Sequence, residues 1–166
     1  MSRTLFLAAV ALAIGTTTLS GAALAAVVHP ERSARYSGSG RLCENNAPGH
    51  RFTDCPGHDR FLFRTSAQGS HVTAFFGRIG PIYCGGGTNT ITVKSMKVGA
   101  DGSFGTRFSS PNVAFGKTTG TSHVVVRGKF TNAKTARVFY RLVTHFNNTP
   151  SSQDCGAQVS GTAHVR

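Results

Sequence analysis

The feature that most constrains the fold of this chain is a two-residue alternation of apolar and polar side chains in its second half. From His123 to Phe130 the even positions are valine, glycine or phenylalanine, and the odd positions include a histidine, an arginine and a lysine. From Ala136 to Leu142 the even positions are again apolar. Successive side chains of a strand point to opposite faces, so each segment has one core face and one solvated face. This pattern predicts an all-β fold: an antiparallel β-sandwich of jelly-roll-like type or, as the alternative, a closed antiparallel β-barrel.

The same periodicity, interrupted by glycine-rich segments, predicts seven strands along the chain. They cover residues 60–65, 71–79, 89–98, 103–108, 122–131, 135–146 and 158–165. Asp101-Gly102 predicts a type I′ hairpin turn, in which both central residues have positive φ. Asn132-Ala133-Lys134 predicts a second hairpin.

The first 26 residues have the three parts of a secretory signal in the usual order. Arg3 lies beside the amino terminus, an apolar run covers residues 5–14, and the small-residue sequence Ala23-Leu24-Ala25 follows. This order predicts a signal peptide over residues 1–25, cleaved after Ala25. The alternative is a retained membrane anchor, but a span needs about 20 apolar residues and this run has only about 10. We therefore expect a secreted protein, extracellular or at the cell surface, with no membrane span.

The remaining chain, residues 26–166, is long enough for one domain with a single core. Residues 26–57 are rich in Arg, Gly, Pro, Asn and His and show almost no alternation, which predicts an extended arm and a disulfide loop. Within the arm, Tyr36-Ser37-Gly38-Ser39-Gly40 is typical of a flexible linker. The β-sandwich domain is expected over residues 58–166.

Export also determines how the cysteines are interpreted. The exported part contains Cys43, Cys55, Cys84 and Cys155, an even number that an oxidising exterior would join as two disulfides. Four cysteines allow three pairings, which the sequence alone leaves open. We favour Cys43 with Cys55, closing a local loop, and Cys84 with Cys155, tying the middle of the chain to its last strand.

A metal site is the alternative for the first pair. Cys43, His50, Cys55 and His58 have two sulfurs and two imidazoles, which are ligands that zinc prefers. Their spacing matches no common zinc finger, and exported thiols oxidise unless a metal captures them first. The sequence therefore favours the disulfide, and we expect neither a metal nor a cofactor.

Several short elements resemble a loose group of secreted, mostly actinobacterial all-β proteins. In chain order they are Phe61-Leu62-Phe63, Cys84-Gly85, Asp101-Gly102-Ser103-Phe104, Val126-Arg127-Gly128-Lys129-Phe130-Thr131, the strand from Ala136 to Arg141, and Cys155. That group tends to have a Trp-x-Ala ending on its last strand, whereas this chain has Gly161-Thr162-Ala163 and no tryptophan. The resemblance implies an all-β fold and export, and it transfers no catalytic residue.

The sequence has no recognisable catalytic constellation. Its six carboxylates lie in irregular segments, in a turn, beside cysteines or at a strand start, whereas a glycosidase needs two carboxylates held on rigid elements. His71, His123 and His145, each on a predicted strand, are the candidates for histidine-based chemistry, with Asp59 as the acid. We predict a protein that is not an enzyme, and clustering of these residues in a concave pocket would reverse that prediction.

Charge is the remaining functional indication. The formal net charge is +12, which favours anionic partners such as wall polymers, acidic polysaccharides or lipid head groups. Six cations are predicted to line basic sheet faces as anion contacts, namely Arg60, Arg64, Arg127, Lys129, Arg137 and Arg141. The alternative is that these are scattered solubilising charges. No nucleic-acid recognition motif is present, so a specific nucleic-acid partner is not expected.

The resulting functional hypothesis is a secreted, non-catalytic β-sandwich protein that binds anionic wall polymer or polysaccharide through a basic sheet face. The alternative is a small secreted enzyme or enzyme inhibitor. An inhibitor would present the rigid loop between Cys43 and Cys55 to its partner. The sequence does not predict an oligomeric state.

Overall fold

The computed structural model describes residues 28–45, 52–80, 87–115, 118–147 and 154–166, with the side chains of residues 112–118 excepted. The predicted signal peptide, residues 1–25, lies outside these residues. The strands are β1 (Arg35–Asn45), β2 (Phe52–Thr65), β3 (His71–Ile79), β4 (Asn89–Lys97), β5 (Ser103–Phe115), β6 (Thr118–Asn132), β7 (Thr135–Phe146) and β8 (Cys155–Val165).

All eight strands belong to one antiparallel sheet with the order β4-β3-β2-β1-β8-β7-β6-β5. The sheet curls until its two edge strands approach each other, and within the described residues an isolated bridge joins Val98, the residue after β4, to Phe104 of β5. The predicted all-β antiparallel class is confirmed, as a nearly closed, barrel-like sheet. Each described strand pairs with its neighbour in the chain except at β4–β5, so the connections do not cross as those of a jelly roll would.

The core lies inside the curl and is built from the inward residues of every strand. Phe61 of β2 packs edge-to-face on Tyr140 of β7, with ring centroids 5.9 Å apart, and Phe63 packs on Phe104 of β5 at 5.6 Å. The half of the sheet from β4 to β1 therefore faces the half from β8 to β5 across the core, as the layers of a sandwich do. Each such fully buried aromatic side chain stabilises the fold by roughly 1.5–3 kcal/mol.

The strands follow the predicted periodicity closely in the folded body. β3 and β7 have the predicted bounds, and β4 differs by one residue at its end. β5, β6 and β8 extend beyond the predicted segments, because their added ends show no clear apolar alternation: Ser-Ser-Pro-Asn precedes Val113 in β5, Thr-Thr-Gly-Thr opens β6, and Cys-Gly-Ala opens β8.

The prediction of irregular chain before residue 58 is wrong for two strands. β1 lies between β2 and β8 and pairs with both, with Tyr36 and Leu42 in the core. The interpretation of Tyr36-Ser37-Gly38-Ser39-Gly40 as a linker fails because its small residues allow close approach to β8. β2 begins at Phe52 rather than Arg60, and a bulge accommodates Pro56, which has no N–H for the ladder.

The disulfide predicted between Cys43 and Cys55 is present and links β1 to β2. Cys155 is also disulfide-bonded. Its predicted partner, Cys84, lies outside the described residues, so the second pairing stays a prediction. A disulfide is compatible with an oxidising, extracellular environment.

The two predicted hairpins have different outcomes. Asn132 and Thr135 pair directly, and the Asn132 side chain accepts a hydrogen bond from the Lys134 N–H at 2.9 Å, so the β6–β7 hairpin is confirmed. The type I′ prediction for Asp101-Gly102 is wrong. Only Gly102 has positive φ, at 79°, and the turn begins at Gly99, whose carbonyl accepts the Gly102 N–H.

Candidate anion-binding face

The six cations predicted to contact anions all project from the outer surface of the sheet. Each is exposed and alternates along its strand with inward residues such as Phe61, Val126 or Val138. They are Arg60 and Arg64 on β2, Arg127 and Lys129 on β6, and Arg137 and Arg141 on β7. The period of two thus sets their outward direction.

Three of these cations line one shallow depression of about 530 Å³ on the outside of β6, β7 and β8. Lys129 lies directly opposite Arg137, and Arg127 lies opposite Phe139. The neighbouring strand β8 adds two hydroxyl side chains to the lining. We call this set the β6–β8 face: Arg127, Lys129, Arg137, Phe139, Ser160 and Thr162.

The charges of the β6–β8 face are only partly compensated. Lys129 Nζ lies 3.3 Å from a carboxylate oxygen of Asp101. Within the described part of the chain, neither Arg127 nor Arg137 pairs with a carboxylate. Like charges directly opposite one another on paired strands are destabilising, so an anion seated between them would lower the free energy of the face.

The β6–β8 face combines three kinds of contact. A guanidinium can donate two parallel hydrogen bonds to a carboxylate, sulfate or phosphate group. The hydroxyls of Ser160 and Thr162 can both donate and accept, which suits hydroxyl-bearing ligands. The half-buried ring of Phe139 provides a flat apolar surface among them. This arrangement can hold an anionic, hydroxyl-rich chain.

Arg141 lies on the same strand but outside the depression. Its guanidinium carbon is 5.9 Å from the ring centroid of Phe52, a cation–π contact. Sequence reasoning missed Arg107 on β5. Val125 of β6 lies between Arg107 and Arg141 and is paired with both of them. Arg107 could have been found, because it occupies an outward position of the strand predicted over residues 103–108.

Arg60 and Arg64 lie on the other side of the molecule. The inward side chains of β2 and β7 meet in the core, where Phe61 packs on Tyr140 and the Tyr140 hydroxyl donates to the Arg78 carbonyl at 2.5 Å. At Arg60 and Arg64 the outward side chains of β2 therefore project away from those of β7, whereas Phe52 at the start of β2 reaches Arg141. The six predicted cations form two separate sets rather than one stripe.

Five of the six carboxylates lie off the outer strand faces, and the exception is Asp54, which is exposed on β2. All six belong to described residues: Glu31, Glu44, Asp54, Asp59, Asp101 and Asp154. Glu44 and Asp59 are buried. Glu31 and Asp154 lie before β1 and β8, Asp101 lies in the turn before β5, and Asp54 of β2 lies opposite Glu44. Hydrogen bonds from Ser103, together with Lys129, lower the pKa of Asp101 to about 2. Apart from Asp54, the acids thus leave the outer strand faces to the cations.

The residues considered for catalysis are dispersed. His71 contacts Ser70 at 3.0 Å, His123 contacts Ser109 at 2.8 Å, and His145 contacts Asp154 at 2.6 Å.

Asp59 is buried elsewhere, where it accepts the Gly80 N–H at 2.7 Å and lies 3.6 Å from Arg78. A depression of about 610 Å³ lies beside Asp59, and among its described lining residues is His58 but none of the three candidate histidines. The clustering that would favour an enzyme is not found among the described residues.

The proposed zinc ligands are also not available as a set. Cys43 and Cys55 use their sulfurs in the disulfide, and His50 lies outside the described residues. In the described ranges, no group of three or more His, Cys, Asp or Glu side chains is arranged to hold a metal ion. In the same ranges, no helical segment has the length and apolar character that a membrane crossing requires.

Comparison with known proteins adds no family assignment. No protein-family model matches the chain, and a search of curated protein sequences gives no match. The resemblance to secreted actinobacterial β-proteins therefore stays a prediction, and the functional argument rests on the geometry of the chain itself.

Proposed function

We propose that the chain is a secreted, non-catalytic protein that binds extracellular polyanions on its β6–β8 face. One observation carries this proposal: Arg127 and Arg137 line the same depression, and neither pairs with a carboxylate in the described residues. Ion pairs with internal carboxylates would compete with a ligand for these guanidinium groups. Here the internal competitor is limited to Asp101, which contacts Lys129.

The neighbouring side chains favour an acidic polysaccharide or anionic wall polymer as the ligand. Such chains carry acid groups at intervals along a hydroxyl-rich backbone. The guanidinium groups match the acid groups, and Ser160 and Thr162 match the hydroxyls. Phe139 offers an apolar surface to a sugar ring. Nucleic acid shares the charge but not this combination, and the face has no motif for base recognition.

The first prediction concerns removal of the two unpaired arginines. In an Arg127→Gln/Arg137→Gln variant, the dissociation constant for a heparin-like polysaccharide is expected to rise about tenfold or more, because two charge-assisted contacts are lost. Titration calorimetry or a retention assay at ordinary salt measures the change. Unchanged affinity would contradict the proposed face.

The chain offers a matched control on its opposite side. Arg60→Gln/Arg64→Gln removes the same two charges from β2, whose outward side chains point away from the β6–β8 face. This control is expected to retain polysaccharide binding within about twofold, since distant exposed charges are screened at ordinary salt. Equal losses in both variants would show that net charge alone causes the binding. Double-stranded DNA, tested in parallel, separates polysaccharide preference from general polyanion binding.

The second prediction concerns export. The Cys43–Cys55 disulfide and the signal-like residues 1–25 together support secretion. Expressed from its complete gene sequence in a bacterial host, the protein is expected in the medium or on the cell surface, with Ala26 as its first residue. Amino-terminal sequencing or intact mass measurement checks this. A cytosolic product that retains residues 1–25 would contradict it.

A further inference from the structure

The outer surface of β2 and β3 exposes two large apolar side chains side by side. Leu62 and Phe76 lie directly opposite each other on paired strands. Their exposed fractions are 49% and 36%, and Phe108 on β5 is the one other large apolar side chain exposed in the described residues. Because alternation along each strand sends apolar side chains inward, an adjacent outward pair is a departure from the pattern of the whole sheet.

Cations surround this apolar pair. Arg60 and Arg64 flank Leu62 along β2, and Arg78 flanks Phe76 along β3. Of these, Arg78 lies 3.6 Å from the buried Asp59 carboxylate, while its own side chain stays 54% exposed. Within the described residues, Arg60 and Arg64 make no ion pair with a carboxylate.

Three arginines also gather beside Leu62. A depression of about 520 Å³ is lined by Arg35, Arg64 and Arg166 together with Leu62. Arg35 and Arg64 lie directly opposite each other on β1 and β2. The Arg166 N–H donates to the Arg35 carbonyl at 2.9 Å, and the Arg166 side chain donates to the Ser37 hydroxyl. The three guanidinium groups make no ion pair with a side-chain carboxylate in the described residues.

We propose that this surface binds an anionic lipid membrane at its interface. We call it the Leu62 face: Arg35, Arg60, Leu62, Arg64, Phe76, Arg78 and Arg166. The charge of the face is complementary to that of anionic head groups, and arginine binds phosphate through two parallel hydrogen bonds. Leu62 and Phe76 enter the boundary between head groups and acyl chains, where apolar side chains are more stable than in water.

A soluble polyanion matches the Leu62 face less well, because it offers nothing to the exposed apolar pair. The centres of the two faces lie across the core from each other, since Phe61 of β2 and Phe75 of β3 both pack on Tyr140 of β7. The faces approach each other only along β8, which adds Thr162 to one and is followed by Arg166 of the other. The lipid proposal therefore does not rest on the polysaccharide proposal, and either can fail alone.

The test is sedimentation of the intact exported chain with vesicles. Phosphatidylcholine vesicles with and without phosphatidylglycerol are the probes. Binding is expected with phosphatidylglycerol and is expected to be weak without it. Arg60→Gln/Arg64→Gln is expected to weaken binding about twentyfold, given the contribution of each basic residue near an anionic surface. Leu62→Ser/Phe76→Ser is expected to weaken it about tenfold.

The matched control is Arg127→Gln/Arg137→Gln, which removes the same charge from the opposite face. It is expected to bind the anionic vesicles within about twofold of the unmodified chain. Both apolar residues are partly exposed, and circular dichroism establishes that the serine variant keeps its strands. If that variant is misfolded, Leu62→Thr with Phe76→Thr replaces it, since threonine suits an exposed strand position.

Three results would overturn the lipid proposal. Equal weakening by the two arginine variants would mean that net charge alone draws the protein to the vesicles. An unchanged affinity of the apolar variant would remove the reason to choose a membrane. Full release by inorganic phosphate at unchanged ionic strength would assign the arginines to a free anion rather than to a lipid surface.

Discussion

At the residue scale, Tyr140 connects the two halves of the sheet. Its ring is buried, and its hydroxyl donates to the Arg78 carbonyl at 2.5 Å, from β7 to β3. Burial, reinforced by the negative charge of Asp59, raises the pKa of this hydroxyl well above its ordinary value of 10.0. The residue that joins β7 to β2 and β3 across the core is thus also one that resists ionisation.

Tyr140→Phe is expected to lower the free energy of unfolding by about 1 kcal/mol at neutral pH, because one buried hydrogen bond is lost. Above pH 10.0 the unfolded tyrosine loses its proton while the native one keeps it, so this group's contribution to stability falls as pH rises. The variant lacks that contribution, and its stability should fall less steeply. Urea denaturation across the alkaline range measures both effects, and parallel curves would contradict the argument.

At the scale of the elements, the pairing of β1 with β8 depends on glycine. Gly40 and Gly161 lie directly opposite each other. A Cβ placed on Gly161 would lie 2.3 Å from the Ser39 carbonyl oxygen and 2.5 Å from the Gly40 Cα. These neighbours are backbone atoms, which cannot move aside as a flexible side chain can. The two halves of the sheet are joined along this close approach.

Gly161→Ala is expected to destabilise the fold by about 2 kcal/mol or more, since the two strands must move apart. Gly57→Ala is the matched control, because a Cβ there meets no atom within 4 Å. That substitution is expected to be neutral or to stabilise by up to about 1 kcal/mol. Denaturant midpoints of the two variants give the comparison. Equal effects of the two substitutions on the denaturant midpoint would mean that the close approach of β1 to β8 does not limit the stability of the fold.

At the scale of the whole molecule, the core separates two cationic surfaces of different character. The β6–β8 face combines arginines with hydroxyls, and the Leu62 face combines arginines with exposed apolar side chains. If both proposed ligands bind, one molecule can hold them at the same time, because the centres of the two faces, on β2–β3 and on β6–β7, point away from each other. The protein would then link an anionic chain to a membrane surface.

This linkage predicts that labelled heparin-like polysaccharide sediments with phosphatidylglycerol vesicles only when the protein is present. Either arginine double variant should abolish most of the co-sedimentation. Arg127→Gln/Arg137→Gln releases the polysaccharide, and Arg60→Gln/Arg64→Gln releases the vesicle. Competition between the two ligands, with one displacing the other, would show that they share one surface.

The sequence was most informative where a strand has one apolar and one solvated face. β3 and β7 were predicted with the observed bounds for this reason. β1 was missed because its alternating positions are serine and glycine, which carry no apolar signal. The glycines are required by the neighbouring backbone of β8, which is distant in the chain, and no local pattern of 35–45 reveals that requirement.

The candidate site, like the strands, was predictable where it depends on alternation along one strand and not where it depends on which strands lie side by side. Alternation correctly directed all six cations outward, and it identified Arg127, Lys129 and Arg137 before their common depression was known. It did not predict that Arg60 and Arg64 lie elsewhere. Ser160 and Thr162 were also missed, because hydroxyl residues on an outer strand face are ordinary in a β protein and become informative only beside Arg137.

By itself, the sequence determined the all-β class and the inward or outward direction of the side chains on its clearest strands, and it favoured the Cys43–Cys55 bridge among three possible pairings. These properties depend on neighbours in the chain or on a short loop. Only the tertiary structure decided which strands face each other across the core. That choice depends on the strand order and on the curl of the sheet, which bring Phe61 onto Tyr140 and so place the two arginine sets on opposite sides.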